Sequence, residues 1–159
     1  MLSRIIAIVG VLLALWMSAG HWVFGIGGFL TWWFLPTIGL IYAVLQLWLA
    51  SRIRVTKQRG RRIGRATIVT LALSWASAIL FGFTVPNVVG GEIVSVLSHL
   101  AGSAFSAEMS FALCNPLGII AFVLASASLI FAYSDARDPK PEEDEWGDEP
   151  PQMVQHPLG

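Results

Sequence analysis

The stretch SRIRVTKQRGRRIGR, Ser51 to Arg65, holds seven of the chain's ten basic residues, and long apolar runs flank it on both sides. Lys and Arg resist translocation, so a short basic segment between two apolar runs predicts a membrane span on either side and a cytoplasmic place for the segment. Composition points the same way. Hydrophobic residues make up 55% of the 159 and charged residues 13%, against about 25% charged in ordinary soluble domains. Mean hydropathy is +0.69, and so little charge does not cover a soluble globule. The formal net charge of zero hides a segregation: Arg52, Arg54, Lys57, Arg59, Arg61, Arg62 and Arg65 are balanced by acids gathered near the C-terminal end.

Four apolar runs, at about 5–24, 29–50, 66–86 and 111–133, are long enough to supply the roughly 20 helical residues that a bilayer core requires. Gly25-Ile26-Gly27-Gly28 is too short a link for anything but an antiparallel hairpin of the first two. With the basic segment inside, Arg4, Arg137 and Lys140 fall on the same side, and both termini are cytoplasmic. Met1 to Arg4, the apolar run after it and Ser18-Ala19-Gly20 have the outline of a secretory signal, but the run exceeds a signal core and reads as a span. Neither Asn87 nor Asn115 lies in a glycosylation sequon; with the small size this favours a bacterial plasma membrane. Trp22, Phe24, Phe29, Trp32 and Trp33 mark the outer interface, with Trp48 and Tyr133 near the inner one.

Each span carries a stripe of small or weakly polar residues at steps of three or four, the spacing that lines one helix face. These are Ala7, Gly10, Ala14, Ser18, His21 and Gly25; Gly39, Ala43, Gln46 and Ala50; Thr67, Thr70, Ser74 and Ser77; and Gly118, Ala121, Ala125, Ser128 and Ala132. In lipid, helices associate through such faces because close backbone approach replaces the missing hydrophobic drive. Pro36 predicts a kink in the second span.

The outer segment 91–110 places Glu92, Ser95, His99, Ser103 and Ser106 at helical intervals opposite Ile93, Val96, Leu97 and Leu100, which predicts an amphipathic helix along the interface. A fifth span over 93–109 is the competing reading; its 17 residues are the lower edge of spanning length and would bury His99 near the midplane. After residue 133 the prolines and the run Glu142-Glu143-Asp144-Glu145 predict a disordered acidic tail, 134–159, with Trp146 as an exposed anchor. The expected fold is thus an all-α integral membrane protein. It has a four-helix transmembrane bundle, an outer amphipathic helix and a disordered acidic cytoplasmic tail.

Chemistry is sparse. The chain has no HExxH, no nucleophile elbow and no phosphate-binding glycine loop, so neither a catalytic residue nor a cofactor is expected. His21, Glu92, His99 and Glu108 share the outer side as a candidate polar site, yet Glu92 and His99 are about 10 Å apart along a helix, too far for one metal. Cys114 is a lone thiol and reads as a small hydrophobe. The candidate contact residues are the basic seven, Arg52 to Arg65, together with Glu142, Glu143, Asp144, Glu145 and Trp146. Their expected partners are anionic lipid headgroups and other membrane-protein subunits, with no nucleic acid. These features favour a non-enzymatic accessory or scaffolding subunit over a small transport or channel component working as an oligomer. A midplane His99, or a polar cavity around His21 and Gln46, would favour the second.

Overall fold

The structure, a computed structural model, describes residues 1–102 and 106–137. It is mostly helical, and four helices are long and apolar enough to cross a membrane. Helix α1, Leu2–Ala19, continues as a tight 3-10 turn over Gly20–Phe24. Helix α2 runs over Thr31–Gln58 and α3 over Arg65–Thr84. An antiparallel hairpin follows, β1 Pro86–Val89 and β2 Glu92–Ser95, then the short α4, Val96–Ala101, and finally α5, Ala107–Asp135.

Most of each predicted stripe lies in the interior, while Ala7, Ala43, Thr70 and Gly118 are half-buried and Gly25 is exposed. Gly10, Ala14, Ser18 and His21 of α1 are buried, as are Gly39, Gln46 and Ala50 of α2, Thr67, Ser74 and Ser77 of α3, and Ala121, Ala125, Ser128 and Ala132 of α5. The most extensive contact joins α3 to α5, where a Cβ on Gly118 would stand 2.8 Å from Phe81 Cε2. Side chains then tie helix to helix. Ser74 Oγ donates to the Ala121 carbonyl at 2.8 Å. Its one proton being used, it accepts from Tyr42 Oη at 2.9 Å. Ser128 Oγ donates to the Thr67 carbonyl at 3.0 Å, and Trp75 Nε1 to Gln46 Oε1 at 3.2 Å. Such bonds average only about 0.6 kcal/mol each between membrane helices, so close packing sets the arrangement and the bonds fix its register.

Pro36 acts as expected, with a particular geometry. Lacking an N–H, it cannot complete the α ladder, and the backbone over Leu35–Gly39 opens into one wide π turn. The Leu40 N–H reaches back to the Leu35 carbonyl. Pro116 lies inside α5 without ending it.

Helix α1 begins at Leu2 rather than residue 5 and α3 ends at Thr84 rather than 86, and three further boundaries differ from the sequence reading. The second span continues through the first eight residues of the basic stretch, because nothing between Ser51 and Gln58 breaks a helix until Gly60 takes φ 71°. The last helix begins at Ala107 rather than 111, its start capped by Ser106 Oγ, which accepts from the Met109 N–H at 3.2 Å. It also runs to Asp135, so the first two residues assigned to the tail are helical.

The single amphipathic helix over 91–110 is not formed, and the fold is accordingly not all-α. Gly90 and Gly91 both take positive φ, 61° and 89°, the combination of a two-residue hairpin turn that matches strand twist. The strands on either side then pair, the β-branched Val88 with Ile93 and Asn87 with the β-branched Val94. Ser95 ends the strand and caps α4 in a box with Ser98, while its Oγ meets Ser110 Oγ at 2.6 Å, pinning the hairpin to α5. Among the described residues no fifth spanning helix forms over 93–109: α4 has six residues.

Candidate functional site

One end of the bundle gathers the basic residues. Arg4 opens α1, Arg52 to Lys57 close α2, Arg59 to Arg62 form the link, Arg65 starts α3, and Arg137 follows α5. The opposite end carries Glu92 and Glu108, both exposed.

Helical periodicity sorts these cations onto different faces. Arg52 and Arg59, seven apart, turn toward α5. The Arg52 guanidinium lies 4.0 Å from the centroid of the Tyr133 ring, whose hydroxyl accepts from Trp48 Nε1 at 3.1 Å. Arg59 Nη1 donates to the Ala136 carbonyl at 2.8 Å, satisfying a carbonyl at the end of α5, where positive charge is favoured.

The start of α3 has the converse need. Its first turn holds no acid and opens with Arg65, beside a helix N-terminus that favours negative charge. Gly64, the cap residue, has no side chain with which to help. Asp135 answers from α5: its Oδ2 accepts from the Gly64 N–H at 2.8 Å and from Thr67 Oγ1 at 2.7 Å. A side chain at residue 64 would collide with it, since a Cβ there falls 2.6 Å from Asp135 Oδ1. Arg59 and Asp135 thus clasp the α2–α3 link to the end of α5.

Arg54 and Lys57 face the other way, toward α1. With Arg4 they line an open groove of about 700 Å³ between α1 and α2, to which Ala7, Leu47 and Ala50 contribute the aliphatic part. All three cations are exposed, and among the described residues their side chains have no ionic or hydrogen-bonded partner. Arg62 and Arg65 are exposed outside this groove, and Arg61 is half-buried.

The outer polar residues are not brought together. His21 is fully buried while Glu92, His99 and Glu108 are exposed, and no group of three potential ligands forms among the described residues. Neither His21 nitrogen, nor Gln46 Nε2, makes a hydrogen bond among the described residues. Gln46 packs against Gly10, eleven residues and roughly 16 Å of helix from His21, so the two do not share a cavity. His99 lies on α4, outside the four long helices. Glu142 to Glu145 and Trp146 lie outside the described residues.

Sequence reasoning missed Asp135 and Tyr133 as partners of the basic stretch, and Gly64 within it as the point where Asp135 docks. The one available signal was a carboxylate two residues after Tyr133, where an apolar run ends. No family model, no curated protein and no solved structure matches this chain.

Proposed function

We propose that the chain is a non-enzymatic multi-pass protein of the plasma membrane, bacterial in origin, acting as an accessory or scaffolding subunit of a larger membrane assembly. Both termini are cytoplasmic in this reading. The observation that carries it is where the helices spend their surface. Only 28–33% of the most apolar window of each long helix is buried within the chain, so most of each span faces outward. The inward faces are closed by Ala121, Ala78 and Tyr42, all fully buried. A filled centre and a broad outer surface suit packing against other subunits and lipid better than passage through a single chain.

Two measurements test this. Fusions to a reporter active only outside the cytoplasm should be active after Gly28 and inactive after Arg59 or Gly159; activity at Gly159 would refute the assigned sides. Extracted from native membranes in mild detergent, the chain should migrate with other subunits in fixed ratio. Recovery as a self-assembly that conducts ions in a planar bilayer would instead establish the transport reading.

A further inference from the structure

We propose that the groove between α1 and α2 holds one anionic phospholipid, its phosphate held by Arg4, Arg54 and Lys57 and an acyl chain lying along Ala7 and Leu47. The inference rests on the membrane reading above and gives one of its lipid partners a place.

Charge favours an anion in this groove. The cations on the α5 side are engaged, Arg52 by the Tyr133 ring and Arg59 by the Ala136 carbonyl. Arg4, Arg54 and Lys57 converge from two helices without a described counter-ion, and a phosphate supplies it. Arginine matches the oxygens of a phosphate through paired N–H donors.

Polarity along the groove favours an amphiphile. From Lys57 back to Leu47 is ten residues of helix, roughly 15 Å, over which the lining passes from cationic to aliphatic. Arg4 and Ala7 repeat that order on α1. A soluble anion would use the cationic part alone, whereas a phospholipid matches both halves. The volume, about 700 Å³, falls within the roughly 300–1,000 Å³ of ordinary ligand sites and suits a headgroup with the upper part of a chain.

The test uses the full chain, purified in detergent and titrated with phosphatidylglycerol or phosphatidylcholine under native mass spectrometry. One phosphatidylglycerol should be retained in preference to phosphatidylcholine. Arg54→Gln/Lys57→Gln should weaken that binding about tenfold at low salt, and Arg4→Gln, on the other helix, should weaken it as well. Arg62→Gln/Arg65→Gln removes equal charge outside the groove and should leave binding unchanged. Equal retention of the two lipids, or an equal loss in the Arg62/Arg65 variant, overturns the site. So does tighter binding of glycerol phosphate, or of a peptide of residues 139–159, than of the lipid. Unchanged thermal unfolding of the variants separates lost binding from lost folding. Resistance of the chain to carbonate extraction from membranes tests the membrane reading by itself, so the groove can fail while that reading stands.

Discussion

Replacing Ala125 with Leu is expected to destabilise the bundle by about 2–3 kcal/mol, the upper range for forcing extra methylenes into a filled core. Ala125 is 2% exposed and lies in the same core cluster as Leu13, Met17, Tyr42 and Phe81. A leucine there has nowhere to go without separating helices whose closeness is the main source of their association. Gly10→Leu should act similarly from α1, because a Cβ at residue 10 already meets the Gln46 side chain. Leu12→Ile, at a position 59% exposed, should change little. Thermal unfolding in detergent reads all three, and equal tolerance would show that the inward faces are wrongly assigned.

The second large effect is expected at Asp135, where substitution by Ala should cost about 1–3 kcal/mol. Two donors lose their acceptor at once, the Gly64 N–H and Thr67 Oγ1. The start of α3 also loses the negative charge that offsets its exposed N–H groups. Asp135→Asn keeps an acceptor without the charge and should fall between. Gly64→Ala should be harmful too, since its Cβ intrudes on the carboxylate. If Asp135→Ala leaves both the unfolding midpoint and protease resistance of the 59–64 link unaltered, the clasp contributes nothing.

The four inward stripes were legible because a long apolar helix advertises its contact face by size: Ala121, Ala125, Ser128 and Ala132 recur at helical steps amid bulky neighbours. Large core residues were not legible. Tyr42 and Leu49 are wholly buried, yet they look like the outward-facing residues beside them. The hairpin was missed because Ile93, Val96, Leu97 and Leu100 satisfy a helical period as readily as their neighbours satisfy a strand. The Val-Val-Gly-Gly-Glu-Ile-Val sequence is decided by the positive φ of its two glycines. The basic stretch was read as a loop from its charge, although Lys and Arg are good helix formers and α2 continues through Gln58. The Gly64–Asp135 contact joins residues 71 apart, and no local pattern announces it.

The wide turn at Leu35–Gly39 sets the rotational phase of α2. An α-helix advances about 100° per residue, so Thr31 and Gly39, eight apart, would point about 80° away from each other in a regular helix. Taking one residue out of the count leaves a difference of roughly 20°, and both are buried. The outer turn can therefore offer Thr31 to Trp22 Nε1 at 3.1 Å while the inner turns keep Gly39, Tyr42 and Gln46 on the bundle axis. The proline segment works as a one-residue phase shifter, reconciling two stretches of helix whose contact faces would otherwise be out of step.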